Sequence, residues 1–374
     1  MINKNRLIKL TQDLIRLKSE NPPGNEVAVA HFVSLYLKKL GLKPKVFCFA
    51  PGRDNVLAVV KGRSSSKPLL ITPHLDTVPA GSGWSVSPFA AVRRGDKIYG
   101  RGASDCKGNL AVALEVIRSL REDKACLKHD LIFLATADEE ACSKKGLIPI
   151  LEKKIVKASY AVILDAADLT IVTAQKGLLH FTVKVFGRKA HGASPRLGRN
   201  AINGAVCLIQ ALAGIKLPGP RHNLLGPSTT NIGTIRGGDK VNMVADWCEF
   251  EVDIRFLPGM RAQDIVKRVK AVFNKEKVSY EISIDSVQAP FEISSGHFLV
   301  KALQKAARTC RVPARVAGSN GATVLSFFQD QHIPAVATGY GVAACMHTSD
   351  EFVRAGDLFR GAQVLERFIK DFQC

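Results

Sequence analysis

The chain lacks long hydrophobic runs and paired cysteines, and each absence excludes a class of protein. No stretch of its 374 residues approaches the roughly 20 consecutive apolar residues that a membrane-spanning helix needs. Nine cysteines are scattered without a Cys-x-x-Cys pair, which argues against a disulfide framework and a thiolate metal site. Charges interrupt the N-terminal segment too often for a signal peptide. We therefore expect a cytoplasmic protein with no membrane partner.

Acidic residues are few relative to basic ones. The sequence has 33 Asp and Glu against 53 Lys and Arg, for a formal net charge of +20. Such a charge attracts nucleic acids or small carboxylates. However, the basic residues are spread along the chain, aromatic residues do not interleave with them, and no DNA-reading motif is present. The composition thus disfavours nucleic acid and leaves a small anionic substrate open.

Continuous apolar runs in the first half of the chain indicate strands that are buried on both faces. Segments with apolar residues at helical spacing lie around and between these runs, at 25–40 and 109–123. Strands that alternate with helices predict an α/β fold, in which a mostly parallel sheet carries helices on both faces. The strand segments are 56–60, 69–72, 131–136 and 161–164.

The middle of the chain has a different pattern. Residues 181–286 read as strand, helix, strand, strand, helix, strand, with the alternating apolarity of a small split βαβ sandwich that has one solvated face. The α/β pattern returns after Pro290. We therefore predict a larger domain formed by residues 1–177 and 290–374, interrupted by a smaller α+β (ferredoxin-like) domain at 178–289.

Acidic and histidine side chains directly follow two of the predicted strands, where open α/β sheets bind their ligands. His74 and Asp76 follow the strand at 69–72, and Glu139 and Glu140 follow the strand at 131–136. Each group alone has an ordinary interpretation: a histidine that orients into a turn, or acids that keep a surface soluble. Acids that a buried strand drives into the binding edge are costly unless a cation neutralises them.

Three more candidate ligands complete the set. Asp105 lies in the glycine-rich segment IYGRGASDCKG, Asp165 ends the strand at 161–164, and His347 lies near the end of the chain. Asp105 is also placed to cap the following helix, and its spacing matches neither a Walker loop nor a dinucleotide fingerprint. Carboxylates mixed with imidazoles suit zinc, manganese or cobalt in a catalytic site. The set suffices for two ions that share a bridging ligand.

The order of these motifs resembles one known family over essentially the whole chain. It is the metallopeptidase family of acetylornithine deacetylase, succinyl-diaminopimelate desuccinylase, aminoacylases, carboxypeptidases and dipeptidases. The resemblance implies a zinc-exopeptidase-like catalytic domain, a lid and dimerisation domain at 178–289, a homodimer, and two divalent metal ions, usually zinc. The motifs are HLD, GRGASDCKG, ADEE, AQKG, GRKAHGASPRLGRNAI, TNIGTIRGGDKVNMVADWCEFEVDIR and MHTSDEF.

The resemblance also assigns the metal ligands, position by position. Asp105 matches the carboxylate that bridges the two ions. His74 and Asp165 match the ligands of one ion, and Glu140 and His347 match those of the other. These assignments agree with the residue types that a dinuclear hydrolase needs.

Other positions match catalytic and substrate-binding residues of the family. Glu139 matches the general base, and Asp76 matches a residue that orients His74. His191 matches a histidine that reaches the active site of the partner subunit and stabilises the oxyanion, although an ordinary surface histidine is the alternative. Asn242 and Arg255 match positions that contact substrate. Arg255 also suits a structural ion pair.

The resemblance implies hydrolysis of a linear amide, with removal of an acetyl or succinyl group from a small N-acyl amino acid in amino-acid biosynthesis. Asp165 departs from the Glu that deacylases usually carry there and is typical of aminopeptidases and dipeptidases. GSNGATVLSFF replaces the usual Gly-Thr-Asp-Ala loop, and Cys106 places an oxidisable thiol near the metals. A di- or tripeptidase of the same family is the alternative, and an inactive metal-binding relative is the alternative of another class.

Overall fold

The computed structural model describes residues 1–217 and 219–372. Irregular helical turns at Ala103–Lys107, Glu139–Ala141, Pro195–Leu197, Asn274–Glu276 and Ala343–Cys345 accompany the regular elements. The α-helices are α1 (Lys4–Arg16), α2 (Val27–Lys39), α3 (Gly108–Glu122), α4 (Leu147–Glu152), α5 (Ala201–Ala213), α6 (Ala262–Phe273), α7 (Phe298–Thr309), α8 (Leu325–Asp330) and α9 (Ala355–Asp371). The strands are β1 (Lys45–Cys48), β2 (Asp54–Val60), β3 (Ser64–Thr72), β4 (Val92–Arg94), β5 (Lys97–Tyr99), β6 (His129–Ala135), β7 (Tyr160–Ile163), β8 (Ile171–Gln175), β9 (Gly177–Phe186), β10 (Thr229–Gly237), β11 (Trp247–Phe256), β12 (Ser279–Gln288), β13 (Phe291–Glu292), β14 (Val316–Ser319), β15 (Ala335–Thr338) and β16 (Phe352–Arg354).

The chain forms two compact units. The first contains Met1–Thr173, Ile293–Ala317 and Phe327–Cys374, and the second contains Ala174–Glu292 and Gly318–Ser326. From the sequence we expect the boundaries at 177/178 and 289/290, with the segment 318–326 in the larger domain. Cys374 lies outside the described residues, and the other eight cysteines are free thiols.

The main sheet of the first unit confirms the predicted α/β fold. Its strands lie in the order β1-β2-β6-β3-β7-β15-β8. The four central strands, β6, β3, β7 and β15, run parallel to one another, whereas β1, β2 and β8 are joined by antiparallel pairing. Three of the four continuous apolar runs are the parallel strands β3, β6 and β7, whereas the run at 56–60 is β2, which pairs with β6 antiparallel. All seven residues of β6 are buried, as expected for a strand covered on both faces.

The helices of the first unit bury apolar stripes against this core. The Asn3 side chain caps α1 by accepting the backbone N–H of Arg6, which satisfies one of the donors that a helix N-terminus leaves free. Leu14 and Ile15 of α1 are fully buried. Helix α3 is buried along almost its whole length and packs against α1 and α9. An apolar helix of this kind is expected at the centre of a layered domain.

The second unit is an antiparallel sheet with two helices. Its strands lie in the order β10-β11-β9-β12, and α5 and α6 contribute Leu208 and Ile265 to the same apolar core as Phe181 of β9 and Phe250 of β11. Burial alternates along β9 and β11, since one face of the sheet is covered and the other is solvated. The predicted order of strands and helices is present.

Two further features concern the chain as a whole. A small sheet of three-residue strands, β16-β5-β4, was not predicted from the sequence, because such short strands show no periodicity. No helix in the described part of the chain combines the length and the apolar character that crossing a membrane requires.

Candidate metal centre

The carboxyl ends of the parallel strands bring the predicted ligands to one edge of the main sheet. The ladder between β3 and β6 continues as a bridge between His74 and Thr136, just beyond both strands. Glu139 and Glu140 follow on the β6 side. Asp165 follows β7, which pairs with β3 on its other side. Because parallel strands end at a common edge, residues far apart in sequence become neighbours here.

Asp105 lies between two histidines. Its Oδ1 is 2.9 Å from Nε2 of His74, and its Oδ2 is 3.0 Å from Nε2 of His347. The His74 side chain is buried and that of His347 is half exposed. Each oxygen of the carboxylate therefore faces a different imidazole, which is the arrangement that a bridging ligand requires.

The remaining acids lie one on each side of this arrangement. Asp165 Oδ1 is 3.6 Å from Nε2 of His74, and Glu140 Oε2 is 3.3 Å from Nε2 of His347. The side chains thus form two groups in which potential ligand atoms lie within 4.8 Å of one another, His74 with Glu139 and Asp165, and Asp105 with Glu140 and His347.

The electrostatics of the cluster fit divalent cations. Burial and the neighbouring Asp165 carboxylate hold the pKa of Glu139 well above its usual range, and burial, together with the Asp105 carboxylate, raises the pKa of Asp165 to about 6. Hydrogen bonds to Asp105 and Glu140 raise the pKa of His347 to about 10. Glu140 Oε1 is buried without a hydrogen-bond partner among the described residues. Crowded carboxylates with an orphaned oxygen are what a bound cation stabilises.

The loop that carries Asp105 is held by one buried carboxylate that the sequence analysis did not assign. Glu351 accepts the backbone N–H groups of Gly102, Ser104 and Asp105 at 3.1, 2.8 and 3.0 Å. Its Oε2 also accepts a hydrogen bond from Nη1 of Arg101 at 2.7 Å. The only sequence signal was its place in the motif MHTSDEF, four residues after His347.

The Asp76 carboxylate holds the turn that carries Glu139 and Glu140. Its Oδ1 and Oδ2 accept the backbone N–H groups of those two residues, each at 3.1 Å. Nδ1 of His74 is 3.0 Å from the backbone carbonyl oxygen of Asp76 and 3.5 Å from its carboxylate. Asp76 therefore contacts the imidazole more closely through its main chain than through its side chain.

Cys106, the thiol expected near the metals, lies beside His74 and Asp105. The thiol is buried, and its Sγ accepts the backbone N–H of His74 at 3.2 Å. Burial raises its pKa to about 12. Because the thiolate is the reactive form, this burial favours the less reactive thiol form.

Three predicted site residues lie in the second unit. His191 is exposed, and its Nδ1 accepts the N–H of Ala193. The neighbouring N–H of Gly192 donates to the carbonyl oxygen of Asn242 at 2.8 Å, so the His191 and Asn242 segments are adjacent. Arg255 lies on β11, and its guanidinium makes two hydrogen bonds to the Asp253 carboxylate, as its structural interpretation requires.

Comparisons with known proteins point to one family. The model of peptidase family M20/M25/M40 matches residues 70–371. Acetylornithine deacetylase of Proteus mirabilis is 28% identical, and the match covers 98% of this chain and 95% of that protein. The solved structure of a Staphylococcus aureus tripeptidase is similar with a TM-score of 0.84 and 27% identity, over 99% of this chain and 98% of that chain.

A Bacillus subtilis structure, described as a dinuclear metal-binding peptidase of the M20 family, covers 98% of this chain and 97% of that chain. Its TM-score is 0.75 and its identity is 18%, so this likeness concerns the fold. The family match spans most of the chain and includes each candidate ligand and Glu139. The chain belongs to peptidase family M20/M25/M40 and is a metal-dependent amide hydrolase of that family.

Proposed function

We propose that the protein removes an acyl group, acetyl or succinyl, from a small N-acyl amino acid. The observation that carries this proposal is the pair of ligand groups around Asp105 with Glu139 beside them, in a chain similar to acetylornithine deacetylases over most of its length. The net charge of +20 favours the capture of a substrate that carries a free carboxylate. The reaction is hydrolysis of the amide bond.

Two divalent ions, with zinc as the first choice and cobalt or manganese as substitutes, fit the donor set. In this assignment His74 and Asp165 would hold one ion, Glu140 and His347 would hold the other, and Asp105 would be shared by both. When bound, such a pair polarises the substrate carbonyl and lowers the pKa of water.

Glu139 is the general base in this proposal. It belongs to the same group as His74 and Asp165, within 4.8 Å of their ligand atoms, and its backbone is fixed by Asp76. It accepts a proton from the attacking water and then donates that proton to the departing nitrogen, so the amine leaves in neutral form. In the acylated substrate this nitrogen is the amide nitrogen of the amino acid.

Three residues are assigned to the substrate and the oxyanion in this proposal. Asn242 and Arg255 contact the substrate, and the guanidinium suits a carboxylate. Arg255 uses two of its donors on Asp253, which leaves the other edge of the guanidinium for the substrate. His191 of the partner subunit stabilises the oxyanion that forms at the carbonyl.

A homodimer is part of this proposal, and the second unit exposes apolar side chains suited to it. Ile202 and Val206 are one helical turn apart on α5, Ile235 lies on β10, and Trp247 begins β11; each is at least 36% exposed. Strand β10 also ends the order of its sheet, so its outer edge is available for pairing. A mass of twice 40.5 kDa by light scattering is expected.

A di- or tripeptidase is the second candidate. The tripeptidase structure matches at 27% identity and a TM-score of 0.84, and Asp165 is the residue that the sequence analysis associates with peptidases. The inactive metal-binding relative, the alternative of another class, is not favoured, because Glu139 and each candidate ligand are present.

A substrate screen separates the candidates. The protein, loaded with zinc or cobalt, is assayed on N-acetylornithine, N-succinyl-diaminopimelate, other N-acyl amino acids, dipeptides and tripeptides. Glu139→Gln serves as the inactive variant and Glu152→Gln, at an exposed helix end, as the matched control. Turnover of an N-acyl amino acid that only Glu139→Gln abolishes supports the deacylase. Turnover of free peptides alone supports the peptidase, and absence of turnover of all these substrates with metal bound contradicts both candidates.

Mixing two inactive variants tests the role of His191. In a mixed dimer, the His191→Ala chain keeps its own Glu139 and receives His191 of the partner subunit from a Glu139→Gln chain. Random assembly therefore restores up to about a quarter of the wild-type activity. If His191 acts within its own chain, or has no role at the oxyanion, co-expression restores nothing beyond the separate variants.

A further inference from the structure

Arg53 is a buried cation in the first unit that none of the assigned roles uses. Its side chain is 4% exposed, and it forms ion pairs with Glu26 and Asp138. Its Nη2 also donates to Oδ1 of Asn21 at 2.9 Å. Gly24 lies against the guanidinium: a Cβ there would come within 1.8 Å of Nη1. A glycine at this position, where φ is 85°, leaves room for the guanidinium.

Asn21 connects Arg53 to Asp76 through hydrogen bonds. Its Nδ2 donates to Oδ2 of Asp76 at 2.9 Å and to Oδ1 of Asp138 at 3.3 Å. The amide has one oxygen and one NH₂ group, so the guanidinium fixes which end faces which partner. The opposite orientation would place the NH₂ group against Arg53 and the oxygen against two carboxylates. Arg53 therefore selects the orientation of Asn21 that Asp76 needs.

The carboxylates of Asp76 and Asp138, which Asn21 and Arg53 hold in place, both accept backbone N–H groups of the turn after β6. Asp76 accepts the N–H groups of Glu139 and Glu140. Asp138 has a left-handed backbone with φ of 65°, and its Oδ2 accepts the N–H of Lys145 at 2.9 Å. The turn is thus fixed at both of its ends by carboxylates whose positions depend on one guanidinium.

Charge balance gives Arg53 a second function in this network. Glu26, Asp76 and Asp138 are all buried, and Arg53 is the cation bound to two of them. Without it, these acids would repel one another, and Asp138 would lose a charge-assisted hydrogen bond. The backbone that carries Glu139 and Glu140 would then lose its fixed position.

We propose that Arg53 is a positioning residue for Glu139 and Glu140, acting through Asn21, Asp76 and Asp138. It touches neither the substrate nor the metals. The proposal rests on the proposed function for the roles of Glu139 and Glu140, whereas the bracing of their backbone does not depend on that function.

Hydrogen exchange of the full-length protein tests the bracing directly, both as purified with metal and after chelation. In Arg53→Met we expect the amides of Glu139 and Glu140 to exchange at least about tenfold faster, while the amides of the buried strand β6 keep their wild-type rates. Arg53→Lys keeps the charge but provides one nitrogen for three acceptors, so an intermediate rate is expected. If Arg53→Met fails to fold, Arg53→Lys is the variant in which the exchange of these two amides is measured.

Arg6→Met is the matched control, because Arg6 also binds a buried carboxylate, that of Glu115, but has no hydrogen bond to this network. On the substrate found in the screen, Arg53→Met is expected to lower kcat about tenfold to a hundredfold, with KM within about threefold, and Arg6→Met to leave both near wild type. Unchanged exchange at Glu139 and Glu140, or equal effects of the two variants, would overturn the proposal. A wild type without turnover contradicts the proposed function alone, since the exchange result still decides the bracing.

Discussion

Replacement of Glu351 by glutamine should destabilise the first unit strongly, although the two side chains have nearly the same shape. The carboxylate accepts four hydrogen bonds, three from backbone N–H groups and one from Arg101. A glutamine amide has one oxygen, so its NH₂ group must face donors. At least one of them, the Arg101 guanidinium or a backbone N–H, then remains buried without an acceptor.

The expected cost is about 3 to 5 kcal/mol, the range for removing one partner from a buried ion pair. Arg101→Met should cost less, because Glu351 keeps its three backbone donors in that variant. Glu351 accepts from four donors, whereas Arg101 donates to Glu351 and, at 3.1 and 3.4 Å, to the carbonyl oxygens of Ala80 and His347. Glu152→Gln, at an exposed position on α4, should change stability by less than about 0.5 kcal/mol.

Tryptophan fluorescence during urea unfolding measures these changes. Trp84 lies in the first unit and Trp247 in the second, so a Trp247→Phe background reports the first unit alone. With an m value of about 3 kcal/mol/M, the Glu351→Gln midpoint should fall by on the order of 1 M. A loss below about 1 kcal/mol, or a larger loss for Arg101→Met than for Glu351→Gln, would refute the reasoning.

Three further predictions use the same unfolding assay. Gly339→Ala should lower the free energy of unfolding by at least about 3 kcal/mol, because the added Cβ would lie 1.8 Å from the carbonyl oxygen of Ala166. Gly296→Ala, whose nearest contact is at 3.4 Å, should be nearly neutral. Equal losses in the two variants would contradict the steric argument. Burial and the Asp76 carboxylate raise the pKa of Glu26 to about 7 from 4.5, so the folded chain holds this proton more tightly than the unfolded chain. The resulting stabilisation is complete below pH 4.5 and is lost as the pH rises through 7; Glu26→Gln should show a flatter stability profile from about pH 5 to 8, and an unchanged profile would contradict this pKa. Removal of divalent metal should lower the midpoint of the first unit, and zinc at a hundred times its Kd should restore about 2.7 kcal/mol; a Trp84→Phe background should show no change in the second unit, and equal shifts in both units would contradict the assigned metal site.

The sequence was sufficient to predict the fold where hydrophobic patterns are long. The seven buried residues of β6 and the amphipathic spacing of α9 leave little choice of secondary structure. The three-residue strands β4, β5 and β16 escaped prediction, because they are too short for any period and form through pairing with distant segments.

His74, Glu140 and Asp165 could be predicted to be neighbours because each follows a strand, and parallel strands end at a common edge. His347 follows the helical turn Ala343–Cys345, and only the family resemblance indicated it.

The supporting residues could not be predicted. Arg53 and Asp138 are 85 positions apart in the chain, and Glu351 reaches the Gly102 amide across 249 positions. Such contacts depend on where loops lie in three dimensions, and no local spacing in the sequence encodes them.

Because of the position of β15, the main sheet can be completed only late in the synthesis of the chain. This late strand lies between β7 and β8, with Val336 paired to Val162 and Ala337 to Val172. When the ribosome has synthesised β7 and β8, it has therefore not yet synthesised β15, the strand that pairs with both. Until residue 338 leaves the exit tunnel, β7 and β8 each present an unpaired backbone edge, the kind of edge that recruits chaperones or pairs wrongly with other chains. His347 emerges only a few residues later, so a nascent chain closes its sheet and acquires its last candidate metal ligand at almost the same moment.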